Sequence, residues 1–241
     1  VPIIQLPEFA LTWRDKKHRL SGAFVMICFS ILSSLSLAVP QMAFSQVSDA
    51  AAEAKTPIKQ SPESELIVEG EGSFGHYHIF GYSWWSELYT GGVEYDRHTW
   101  GNLIGARMDY VAEALPVAIL RQPASTDVWG DPQTNAKETA YGVALSPIGL
   151  RMMWRSNKSI KPYFIAKGGL IVFDKKALSE DAAYENFLLQ IGIGMQFRLS
   201  KRLDLRVGYA DIHFSDAFIV PSNPGLDSMT YNGGISYHLG K

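Results

Sequence analysis

The residue types with the clearest chemical potential fall within 211–231. His213 and Ser215 stand two residues apart, a loop with Asn223-Pro224-Gly225 follows, and Asp227 comes after it. A serine hydroxyl becomes a nucleophile when an imidazole takes its proton. A carboxylate on the other ring nitrogen fixes the tautomer and balances the charge that forms. On an extended strand, positions i and i+2 stand about 6.5–7 Å apart at Cα, so their side chains can meet in a hydrogen bond. The chemistry therefore depends on whether strands carry these three residues to one place.

Other motifs offer less. Gly70-Glu71-Gly72-Ser73-Phe74-Gly75 matches G-x-G-x-x-G, but that pattern cradles a dinucleotide only where a strand leads into a helix, and no helical pattern follows. His76 and His78 alternate, without an acidic or thiol partner at ligand spacing, so no metal is expected. Trp84-Trp85 suits an interfacial anchor. Asn157-Lys158-Ser159 fits a glycosylation acceptor but lies in a short turn and is assigned no role. Neither G-x-S-x-G nor H-E-x-x-H occurs, which leaves an α/β-hydrolase and a zincin without support. No cofactor follows from a serine mechanism.

The elements available to position the residues are strands. Period-two alternation is cleanest over 187–199, where Phe187, Leu189, Ile191, Ile193, Met195, Phe197 and Leu199 oppose Gln190, Gln196 and several glycines. It recurs over 104–114, 203–209 and 229–239, and less cleanly over 65–75, 85–97, 140–154 and 160–173. Pro147 marks a bulge or bend in the strand that contains it. Short connections are expected at Thr99-Trp100-Gly101, Ser156-Asn157-Lys158-Ser159 and Ser200-Lys201, and long ones at 76–84, 121–138, 174–186 and 216–228. Long and short alternate throughout. This is the pattern of an all-β, eight-stranded, antiparallel up-and-down transmembrane barrel, with short periplasmic turns and long outer loops. A soluble lipocalin-like barrel would reverse the faces, with an apolar lumen and a polar exterior. Loop alternation, and aromatics such as Tyr231 and Tyr237 near strand ends, favour the membrane form.

The parity of the last two strands then bears on the chemistry. Leu203, Leu205, Val207 and Tyr209 form the lipid-facing set, and the same parity continues to Asp211, His213 and Ser215. Met229, Tyr231 and Ile235 extend backwards to Asp227. The three candidates thus project from one face of neighbouring strands at the outer rim, which suits an ester in a membrane lipid. A polar rim where the strand leaves the bilayer accounts for the same pattern, and periodicity does not separate the two.

Composition and the N-terminus agree with export. Arg14 to Arg19 is a basic cluster, residues 20–40 form an uncharged apolar run, and Ala43-Phe44-Ser45 offers a small-x-small cleavage site. Residues 1–45 read as a signal peptide with an extended or spurious start, 46–64 as a disordered linker rich in Ala, Ser, Glu, Pro and Lys, and 65–241 as the barrel. The single cysteine, Cys28, lies inside the signal, so the mature chain has no disulfide and no thiol chemistry. Loss of Arg14, Lys16, Lys17 and Arg19 together with Glu8 and Asp15 moves the net charge from −2 to −4. A mildly acidic exported chain has no electrostatic case for nucleic acid. A homodimer is compatible with the sequence but not indicated by it.

His213-Phe214-Ser215-Asp216-Ala217, then Asn223-Pro224-Gly225-Leu226-Asp227-Ser228 and a final alternating strand, resemble the lipid A 3-O-deacylase (PagL-type) family of outer-membrane barrel esterases. The resemblance is loose from about residue 65 and specific within 209–237. It implies a bacterial outer-membrane enzyme that removes an ester-linked 3-hydroxyacyl chain from lipid A of lipopolysaccharide. Ser215 matches the family nucleophile and His213 the base. Asp227 stands where the family commonly has glutamate. Asn223 matches an asparagine near the oxyanion site, where backbone N–H groups of Asp216 and Ala217 would assist. Asp216 departs from the family asparagine, and a carboxylate aimed at a developing oxyanion is unfavourable. Arg121, Lys137, Lys175 and Lys176 are loop cations able to meet lipid A phosphates, or simply solvated charge. The alternative function is a non-catalytic small barrel serving as a structural protein, an adhesin or a pore.

Overall fold

The computed structural model describes residues 63–76, 81 and 85–239. The expected signal peptide, nearly all of the expected linker, His78 and Trp84 lie outside these, as do the side chains of Phe74 to His76. Eight strands follow in order: β1 Ser64–His76, β2 Glu87–Leu103, β3 Ala106–Pro123, β4 Lys137–Trp154, β5 Ile160–Phe173, β6 Glu185–Arg198, β7 Leu203–Ser215 and β8 Leu226–Leu239. Each pairs antiparallel with the next, and β1 pairs with β8, so the sheet closes into a barrel. Closure satisfies every strand edge, which a lipid environment requires because it offers no water to unpaired backbone groups. The described residues include no helix.

The connections alternate in length as expected, with one change of position. The β2–β3 turn is the residue pair Ile104-Gly105, both at positive φ, rather than Thr99-Trp100-Gly101. The latter forms a bulge inside β2, where the register shifts between His98 and Asn102 and Gly101 takes φ +76°. A glycine at positive φ serves a bulge as readily as a hairpin turn, so sequence alone put the reversal a few residues early. Pro147 does interrupt a ladder, with the β4–β5 register shifting between Leu145 and Ile148.

The barrel's outer surface is apolar. Val68, Val117, Val143, Leu145, Leu170, Ile193, Val207 and Ile235 are all exposed. The opposite parity fills the interior, and near the short-turn end it carries charge. Arg151 lies against Asp96, Asp109 and Glu65, and Arg107 joins Glu65 to Asp109. Lys167 bonds Glu94 and Glu113, Arg206 bonds Glu94 and stacks on Tyr163, and Lys161 bonds Asp204. The ammonium of Lys167 also reaches Glu69. The three carboxylates of Glu69, Glu94 and Glu113 converge to within 4.8 Å of one another, and Lys167, together with Arg206 at Glu94, supplies their positive charge. An apolar exterior around an ionic interior is the arrangement of a membrane barrel and the inverse of a lipocalin.

Towards the long-loop end the lumen turns apolar. Leu88, Leu120, Ile171, Phe173, Leu188, Ile212, Phe214 and Leu226 form one buried cluster with Ala177 and Leu178 of the β5–β6 connection. Phe173 and Phe214 meet at 5.6 Å between ring centroids. Burying a side chain of this size stabilises by about 1.5–3 kcal/mol, so the cluster anchors the upper ends of β7 and β8. Charge therefore fills the lower half of the lumen and a hydrophobic core lies above it.

Candidate active site

β7 continues past Tyr209 to Ser215, and β8 begins at Leu226. Ile212 and Phe214 point into the apolar cluster, which forces His213 and Ser215 to the opposite face. The β7–β8 ladder sets His213 directly across from Asp227, and β6 sets Phe187 across from Ser215. His213 Nδ1 lies 2.6 Å from Asp227 Oδ1. With the proton on Nδ1, the lone pair of the neutral ring sits on Nε2, as proton abstraction from a serine requires. Asp227 Oδ2 accepts a second hydrogen bond, from the Gly81 N–H at 2.9 Å. The carboxylate is thus held at both oxygens.

The site is not bare to lipid. His213 and Ser215 are each 4% exposed and Asp227 2%, whereas Leu205 and Val207 lower on the same face of β7 are 37% and 40% exposed. Gly225 and Gly81 lie against the site. Gly225 takes φ +62°, a left-handed backbone that glycine adopts without steric cost. A Cβ there would stand 3.4 Å from Ser215 Cβ and 3.5 Å from His213 Cε1. Gly81 packs still closer, since a Cβ on it would fall 2.8 Å from backbone atoms of Gly225 and Leu226.

The oxyanion candidates are arranged differently from the expectation. Asn223 Oδ1 accepts the Asp216 N–H at 3.1 Å, so this donor is turned to the asparagine. The Asn223 amide nitrogen is the donor end of that side chain. Ala217 and Phe218 both take positive φ, at 52° and 65°. Asp216 Oδ1 accepts the Phe218 N–H at 2.9 Å, which folds its carboxylate back onto its own turn. Burial pushes the Asp216 carboxyl above the usual carboxylate range, opposed in part by the N–H groups of Phe218 and Ala183.

The loops around the site are tied together. Ser222 Oγ donates to Val128 O at 2.6 Å and lies 3.0 Å from Ser179 Oγ. A hydroxyl has one proton, so Ser179 donates to Ser222. Three outer connections therefore meet beside the turn that carries Asn223. Of the four cations expected in loops, Arg121 lies in β3 and Lys137 opens β4, because both strands run further than their alternation shows, and all four have protein partners. Lys175 bonds Glu138 at 2.7 Å, which raises its pKa, and Arg121 lies 4.0 Å from Glu87. Lys137 donates to Trp85 O and Lys176 to Glu180 O.

Of the residues singled out in the sequence, the structure brings His213, Ser215 and Asp227 to one face, and links Asn223 to Asp216. Gly81 was missed, because 146 residues separate it from Asp227 and no spacing signals the contact. Gly225 carried a signal, its place after proline, that points to a turn and not to packing on a serine.

Solved structures similar to this chain include the outer-membrane enzyme PagL, at 17% identity over 71% of this chain and 97% of that one, with a TM-score of 0.47. The N-terminal β-barrel domain of Pseudomonas aeruginosa OprF is similar at 9% identity, 74% and 98% coverage and a TM-score of 0.41. The attachment invasion locus protein Ail of Yersinia pestis is similar at 12% identity, 74% and 99% coverage and a TM-score of 0.40. No curated protein matches the chain. The model of the family described as lipid A 3-O-deacylase (PagL) matches residues 70–236, most of the chain, so this bacterial outer-membrane barrel belongs to the PagL family of lipid A deacylases.

Proposed function

We propose that the protein is a serine esterase that removes an ester-linked 3-hydroxyacyl chain from lipid A in the outer leaflet. The observation that carries this reading is the cross-strand His213–Asp227 pair, at 2.6 Å, with Ser215 two residues further along the same face of β7. Ser215 Oγ attacks the ester carbonyl as His213 Nε2 takes its proton, and the carbonyl π electrons move to oxygen. Collapse of this intermediate breaks the bond to the lipid A oxygen, which leaves with the proton from His213. Water then attacks the acyl-serine, giving its proton to the same nitrogen, and the 3-hydroxy fatty acid and free Ser215 are released. Asp227 keeps the tautomer and offsets the imidazolium charge. The Asn223 amide nitrogen and the Ala217 N–H are the donors we assign to the oxyanion, with the Asp216 N–H serving to orient Asn223.

Mass spectrometry of lipid A from cells producing the protein tests this. The native chain should remove the mass of one hydroxyacyl group, and Ser215→Ala should leave lipid A intact. Unmodified lipid A from several hosts, with folded native protein in the outer membrane, would sink the proposal.

A further inference from the structure

Gly81 makes two contacts that no motif accounts for. Its N–H donates to Asp227 Oδ2 at 2.9 Å, while the other oxygen of the same carboxylate holds His213. Its Cα also stands so near the β7–β8 turn that a Cβ would fall 2.8 Å from Gly225 C, Leu226 C and Leu226 N. All three obstacles are backbone atoms, so a larger residue cannot be met by a rotamer change.

These contacts act on one object. A carboxylate anchored through one oxygen swings about its Cβ–Cγ bond, and its oxygen then leaves the imidazole. A second donor on the other oxygen stops that rotation. The donor must sit on the turn that carries Asp227 into β8, and only a residue without a side chain comes close enough. We infer that Gly81, from the connection between the first two strands, is a positioning residue for the catalytic carboxylate. On this assignment the site is completed by both ends of the chain, β1–β2 on one side and β7–β8 on the other, which the β1–β8 closure brings together. The inference rests on the reading of Ser215, His213 and Asp227 as catalytic.

A double-mutant cycle on the full-length protein, assayed by release of hydroxy fatty acid from lipid A, tests it. Gly81→Ala should lower turnover by roughly 10–100-fold in the native background, the scale of a misplaced catalytic group. In the Asp227→Ala background the same change should cost less than about twofold, because its target is already gone. Gly70→Ala is the matched control, since a Cβ there meets nothing nearer than 3.7 Å and should leave turnover unchanged. Equal losses in both backgrounds, or full activity of a folded Gly81→Ala protein, would overturn the assignment. Amide hydrogen exchange provides a measurement that does not need Gly81→Ala to fold. Asp227→Ala should speed exchange at the Gly81 N–H, and Ser215→Ala should not; unchanged exchange in Asp227→Ala counts against the inference. If Ser215→Ala keeps full activity, the serine mechanism fails instead, whatever Gly81 does.

Discussion

On the proposed mechanism Ser215, His213 and Asp227 divide the chemistry, so that each loss should have its own signature. Removing the proposed nucleophile in Ser215→Ala should lower deacylation on the order of 10⁴–10⁶-fold, with the barrel folded. Asp216 behaves in another way. Its carboxyl is raised by burial, so its charged form is disfavoured in the folded protein. Below the ordinary aspartate pKa of about 3.9 both folded and unfolded chains are protonated there and no penalty exists. As pH rises through that value towards the folded pKa, the unfolded chain ionises first and stability falls. Asp216→Asn should therefore stabilise the protein at pH 7 and not at pH 3, as measured by urea unfolding in detergent at both. Its Oδ1 can still accept the Phe218 N–H, so the turn survives the change.

At the scale of elements, the β7–β8 hairpin holds the site because its inner face is bonded into a hydrophobic core. Phe214, Ile212 and Leu226 are buried among Leu188, Phe173 and Leu178, and this fixes which side His213 and Ser215 take. The turn before β8 is the vulnerable part. Gly225 combines φ +62° with close approach to Ser215, His213 and Gly81. Gly225→Ala should destabilise by roughly 1–3 kcal/mol from backbone strain and contact. Its turnover should fall by more than that loss explains, because the crowded atoms belong to the site. Comparing initial rates at a temperature where both proteins are fully folded checks this.

The whole molecule sets an ionic interior inside an apolar exterior, and each predicts a distinct failure. Arg151 serves Asp96, Asp109 and Glu65 from a fully buried position. Arg151→Ala removes the cation these three carboxylates share, leaving Arg107 for Glu65 and Asp109 and Arg206 at 3.4 Å from Asp96, and should cost about 3–5 kcal/mol, read from the shift of the unfolding midpoint. On the outside, Ile193 lies midway along β6 and is 60% exposed. Ile193→Arg should cost about 2–4 kcal/mol in a bilayer, the scale for a charge near the membrane midplane. The same substitution should matter far less if that surface faced water. The packed lumen also disfavours the alternative of a pore, because ion pairs occupy its lower half and an apolar cluster its upper half.

Much of this was written in the linear chain. Period-two alternation determined the strands, and alternating loop lengths determined the antiparallel up-and-down order, because both are local properties that neighbours in sequence decide. Parity placed His213, Ser215 and Asp227 on one face for the same reason. What tertiary structure alone decided is what meets that face. Whether Asp227 points at His213 depends on register across the β7–β8 ladder, and the true β2–β3 turn depended on a bulge that a glycine leaves undecided. The second hydrogen bond on Asp227 comes from Gly81, brought there from a distant connection by closure of the barrel. The sequence leaves open where the Asp216 carboxylate points, and only the fold shows it bonded to its own turn. Alternation records which side of a strand a residue takes, while a contact across the barrel is fixed by closure, which no local pattern encodes.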